Sequence, residues 1–162
     1  VRRWIASPDL FERANDRINQ LEQDTAHQTV ALAGAIELLH SIVDDIWTVC
    51  TSANTNLGRA RLEAAGLPVP KHLVTANHVE RGKPHPDPYL LGAERLGFDP
   101  ADCVVFEDAV AGAQAALEAG VGLVVGVSEF ALATEADIVV RDLTGITFDG
   151  EVLFIPDKNR LR

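Results

Sequence analysis

Phe11, Ala14, Ile18 and Leu21 recur at helical spacing, with Glu12, Arg13, Asp16 and Arg17 on the opposite side. That pattern predicts a one-sided amphipathic helix, which must pack on something. Ser7-Pro8-Asp9 supplies its start: a capping hydroxyl, a proline at the first helical position and an acid near the positive end of the helix dipole. Residues 22–30 are polar and read as a connection. From Ala31 to about Val140 the residues Ala, Gly, Val and Leu dominate, so a boundary is expected near Ala31, between a segment 1–30 and a body 31–162.

The body alternates two periodicities. Helices are expected over 36–43, 57–65, 87–96 and 109–119, stopped at Gly66 and Pro68 in the second and at Gly97 in the third. Apolar runs at 46–50, 72–75, 103–106, 121–127 and 138–140 read as strands. Short, wholly apolar strands separated by helices belong to a parallel sheet covered on both faces. The expected fold is therefore α/β, Rossmann-like. Beyond Gly145, apolar runs at 146–148 and 152–155 flank Asp149-Gly150, a hairpin signal. Internal repeats and low-complexity tracts are lacking.

Composition narrows the function classes. A chain of 162 residues with 47% hydrophobic and 23% charged positions can bury an ordinary core. Its charge, 14 − 24 = −10, argues against nucleic acid or an anionic membrane surface as partner. A small anionic substrate stays open, because one site can be positive on an acidic protein. Cys50 and Cys103 form neither a disulfide framework nor a zinc set, so a cytoplasmic setting is expected. No run approaches the roughly 20 apolar residues of a membrane-spanning helix. Residues 1–4 lack the apolar core of a signal peptide, and Met is absent even at position 1, as expected of a piece of something longer or of a non-standard start.

In an open parallel sheet, ligands bind beyond the carboxyl ends of the strands. Three strand ends carry suggestive chemistry. Thr51-Ser52-Ala53-Asn54 offers a hydroxyl and free N–H groups before a helix, which suits either a phosphate cradle or a plain helix cap. Lys83, set between Gly82 and the prolines Pro84 and Pro86, is a stiffly held ammonium or an ordinary surface lysine. Glu107-Asp108 directly follows an apolar strand, where two acids suit a hard cation such as Mg²⁺ or the dipole of the next helix.

Taken together, a Thr, a constrained Lys and an acidic pair in this order resemble motifs of the haloacid dehalogenase-like hydrolase superfamily. Val74-Thr75-Ala76-Asn77, the run from Gly82-Lys83-Pro84 to Tyr89-Leu90, and Phe106-Glu107-Asp108-Ala109 resemble its sugar- and polyol-phosphate phosphatases, such as the 2-deoxyglucose-6-phosphate and glycerol-phosphate enzymes. The resemblance runs over about 31–140. It implies phosphate-monoester hydrolysis through an aspartyl-phosphate, with a small phosphorylated metabolite as substrate. It also implies that Thr51 binds the phosphoryl group with Ser52, Ala53 and Asn54, that Lys83 bridges phosphate and nucleophile, and that Asp108 with Glu107 holds Mg²⁺. These residues are expected to converge on one pocket.

The family's first motif, an apolar strand followed by Asp-x-Asp-Gly-Thr/Val, is missing from the sequence. Asp44-Asp45 precedes a strand instead of following one, and Asp149-Gly150 reads as a turn. The expectation is a chain without its nucleophile strand, with residues 1–30 as the remnant of a helical cap domain. Such a chain is inactive alone, and it exposes unpaired strand edges that favour association, although the intact parent is expected to be a monomer. A β-phosphoglucomutase-like mutase and a non-catalytic fragment or binding module are the alternatives. The remaining residues have structural readings: Cys50 and Cys103 as buried thiols, His85 as loop support, Trp47 and Tyr89 as packing groups.

Overall fold

The computed structural model describes residues 7–43 and 46–162. Five helices and five strands follow: α1 (Pro8–Thr25), α2 (Ala35–Ser41), α3 (Thr55–Ala64), α4 (Asp87–Leu96), β1 (Val104–Glu107), α5 (Val110–Glu118), β2 (Leu123–Val127), β3 (Ile138–Val140), β4 (Thr147–Phe148) and β5 (Leu153–Phe154). The fold is α/β as expected. β1, β2 and β3 are parallel in that spatial order, with Val105 opposite Val124 and Gly126 opposite Val139. Register places Glu107 opposite Gly126, at the carboxyl end of β1.

Side-chain alternation along these strands builds two cores. Val105, Val124 and Val139 pack with Tyr89 of α4 and Ala113 and Ala116 of α5 on one face. Val125, Val127 and Val140 pack with Leu38 of α2 and with Ile146 and Ile155 on the other. Two-sided burial explains why the strands carry almost no polar residue. The small residues of α5 let it lie close to the sheet, and Ala115 and Ala116 are fully buried. β4 and β5 pair antiparallel around Asp149-Gly150, whose Asp149 carboxylate accepts N–H bonds from Glu151 and Val152. The turn reading of Asp149 is the observed one.

Two expected strands are not formed as strands. Residues 46–50 and 72–75 meet only in an isolated parallel bridge between Cys50 and Val74, where Val74 N–H bonds Val49 O and Thr51 N–H bonds Val74 O, each at 2.9 Å. Apolar composition makes a segment want burial, but a strand also needs a ladder. Among the described residues 46–50 has none on its other side, and β1 is the edge of the three-stranded sheet. The indole N–H of Trp47 and the hydroxyl of Thr48 are buried there without a partner among the described residues.

Helix ends follow local chemistry. α4 spans the predicted residues and stops at Gly97, whose φ of 78° is costly for any residue with a Cβ. α3 starts two residues before its expected first residue, because Asn54 accepts from Leu57 N–H at 3.0 Å and caps it. α1 runs on to Thr25, through part of the stretch read as a connection. No residue of α1 is buried, and an exposed Arg61–Glu22 pair at 3.4 Å links it to α3. Asp44 and Asp45 lie outside the described residues.

Candidate active site

Lys83 lies in the turn before α4, in a segment where His85 N–H bonds Gly82 O at 3.1 Å. Its ammonium pairs with Oε1 of Glu107 across the sheet's carboxyl edge. Tyr89, in the first turn of α4, donates to the same Oε1 at 2.6 Å, and the Lys83 ammonium sits 4.8 Å from its ring centroid. Oε2 of Glu107 accepts the backbone N–H groups of Asp108 at 3.1 Å and Ala109 at 3.3 Å, where α5 begins. Glu107 thus has partners on both oxygens, at 9% side-chain exposure. Burial works against its charge, but Lys83, Tyr89 and the backbone donors together hold the carboxyl below its ordinary range. Burial, and then the charge of Glu107, push the Tyr89 hydroxyl up, which keeps it a donor.

The acidic pair splits into two roles. Glu107 turns inward onto Lys83, whereas Asp108 is exposed and its carboxylate has no hydrogen bond or ion pair among the described residues. No group of three or more Asp, Glu, His or Cys gathers among the described residues. Among the described residues Asp108 is thus a free carboxylate that could hold a cation together with water and substrate oxygens.

The Thr51 loop joins this cluster through its neighbour. Cys50 donates to Pro88 O at 3.2 Å beside α4, and burial pushes its thiol up to about 11, with Lys83 the leading charge that opposes the rise. The thiol read from sequence as buried is partly buried, in surroundings that disfavour its thiolate. Within the loop, Ala53 N–H bonds the Thr51 hydroxyl at 3.1 Å, so this amide is turned onto the loop itself. Asn54 is engaged as the cap of α3, and Ser52 is exposed. The described contacts therefore bring Lys83 and Glu107 together, set Asp108 beside them, and bring Cys50, next to Thr51, within electrostatic reach of both.

Tyr89 was read from sequence as packing, yet it is both hydrogen-bond donor and aromatic face in this cluster. Its position in the first turn of α4, shortly after Lys83, was the available signal. A profile for haloacid dehalogenase-like hydrolases matches residues 5–120. The chain belongs to that family. Over 135 residues it is 41% identical to hexitol phosphatase A of Escherichia coli (strain K12), an overlap of 81% of this chain and 62% of that protein. It is 33% identical over 177 residues to glycerol-1-phosphate phosphohydrolase 2 of Saccharomyces cerevisiae, covering 93% of this chain and 69% of that protein. The crystal structure of a hydrolase from Pseudomonas syringae aligns at TM-score 0.68 and 29% identity, over 76% of this chain and 60% of the other. This haloacid dehalogenase-like chain thus spans 62–69% of the two named phosphatases. None of its described helices is long and apolar enough to cross a membrane.

Proposed function

We propose that the chain carries the phosphate- and cation-binding part of a cytoplasmic phosphatase for small sugar or polyol phosphates. The observation that carries this reading is the buried Lys83–Glu107–Tyr89 cluster beside the free carboxylate of Asp108, in a chain similar to hexitol phosphatase A. In this reading Lys83 neutralises the phosphoryl oxygens as a compact charge whose position Glu107 and Tyr89 hold. The Thr51 hydroxyl and the Ser52 N–H meet the same oxygens, with the Ala53 N–H released from Thr51 when phosphate enters; Asn54 holds the helix behind them. Asp108, with Glu107 behind it, holds Mg²⁺, which supplies further charge neutralisation of the phosphoryl group. In this reading residues 1–30 belong to a helical cap that chooses the substrate. The free thiols of Cys50 and Cys103 fit a reducing compartment.

No Asp-x-Asp-Gly-Thr/Val motif occurs in the 162 residues, Glu107 is engaged with Lys83, and Asp149 is engaged in the hairpin turn. The chain by itself therefore binds phosphate without forming an aspartyl-phosphate. Calorimetry with inorganic phosphate and Mg²⁺ is expected to show binding that Lys83→Ala removes. Turnover of p-nitrophenyl phosphate by the same preparation is expected to be nil. A wild-type chain that ignores phosphate contradicts the site, and sustained turnover contradicts the missing nucleophile.

A further inference from the structure

The loop 51–54 is tied down by a neighbour that the chemistry above does not use. Asn77 lies in the single turn Ala76–His78 that follows the bridge residue Val74. Its side-chain oxygen accepts the backbone N–H of Thr55 at 2.9 Å and the Thr55 hydroxyl at 3.2 Å. Thr55 is the first residue of α3, immediately after the loop. Its hydroxyl lies 2.9 Å from that of Thr75, which is wholly buried. Ala76 N–H bonds Ala53 O at 3.0 Å, and Thr51 N–H bonds Val74 O at 2.9 Å. The loop is therefore held at entry, middle and exit by one short stretch of chain, with the side chains of Asn77 and Thr75 both meeting Thr55 at the exit and Asn77 taking its backbone N–H.

We infer that Asn77 is a positioning residue for phosphate binding by the loop 51–54, an inference that rests on the phosphatase reading of that loop. The Thr51 hydroxyl and the Ser52 N–H meet an anion in this reading only if the loop's exit is fixed. The Asn77 oxygen fixes it by pinning the first amide of α3, one of the helix-end donors that has no partner within the helix. Asn77 needs only an acceptor for this. Asp at the same position preserves both bonds, whereas Ala leaves the Thr55 N–H and hydroxyl to water.

The test compares wild type, Asn77→Ala and Asn77→Asp by amide hydrogen exchange over 51–58 and by calorimetric binding of inorganic phosphate in the presence of Mg²⁺. Asn77→Ala is expected to speed exchange at Thr55 about tenfold and to weaken phosphate about fivefold, in line with the loss of ordinary hydrogen bonds. Asn77→Asp is expected to restore wild-type exchange, which generic damage to the fold would not allow. Unchanged exchange in Asn77→Ala overturns the inference. So does faster exchange with unchanged phosphate affinity, because the tie is then structural only. A wild-type chain that does not bind phosphate overturns the phosphatase reading first, and its own titration reveals this before any variant is made.

Discussion

Gly112 lies against the carboxylate of Glu107 so closely that a Cβ there would collide with it. The glycine belongs to the first turn of α5, and its missing side chain is what lets Glu107 fold back over the helix start and reach Lys83. Gly112→Ala is expected to displace Glu107 and to destabilise the protein by about 1–3 kcal/mol, the usual range for overpacking a buried site. A urea midpoint lowered without a change in slope checks this. Phosphate binding is expected to weaken with it, since Lys83 loses its anchor.

The Glu107–Lys83 pair makes stability depend on acid. The Glu107 carboxyl is held below its ordinary value of 4.5, so it contributes stability that is present above pH 4.5 and lost as pH falls through the lower folded value. Glu107→Gln leaves the Lys83 charge buried without its partner and is expected to cost about 3 kcal/mol at pH 7. That difference shrinks as pH falls from 4.5 toward the lower folded value, where wild type loses the charge as well. Tyr89→Phe removes one of the donors to Oε1, so the folded value of Glu107 lies nearer 4.5 and the acid loss is expected to be smaller and complete at higher pH than in wild type. Denaturant melts at stepped pH for the three proteins decide both points; parallel curves would dismiss the pair as a source of stability.

Ser128, just beyond the end of β2, has φ 78° and ψ 168°, a conformation almost confined to glycine, and its hydroxyl is buried without a partner among the described residues. Ser128→Gly relieves both costs. A gain of about 1 kcal/mol in thermal or denaturant unfolding is expected. A loss would show that the hydroxyl has a partner that stabilises the loop.

β1 stands at the edge of its sheet, and its Val104 is 42% exposed. Apolar edge strands template pairing between copies. Sedimentation of the purified chain is expected to show association that grows with concentration, and Val104→Lys is expected to reduce it. A monomer at every concentration would mean that this edge is already protected.

Periodicity and turn chemistry in the sequence determined most of the local structure. Asp87–Leu96 and Ile138–Val140 form over their predicted spans, and Asp149-Gly150 turns a hairpin, because proline at a helix start, glycine after its end and apolar runs act over a few residues. The order Thr51, Lys83, Glu107-Asp108 stands in the sequence too, with Thr51 and the acidic pair directly after apolar runs and Lys83 set between Gly82 and Pro84. The tertiary structure alone decided the rest. Whether 46–50 becomes a strand depends on a partner ladder, and its own residues do not carry one. Which acid of the pair faces Lys83 depends on the space above Gly112, which only the packing of α5 on β1 creates. Tyr89 and Asn77 acquire their roles from groups 18 and 22 positions away, contacts that no local pattern encodes because they exist only once the elements have packed.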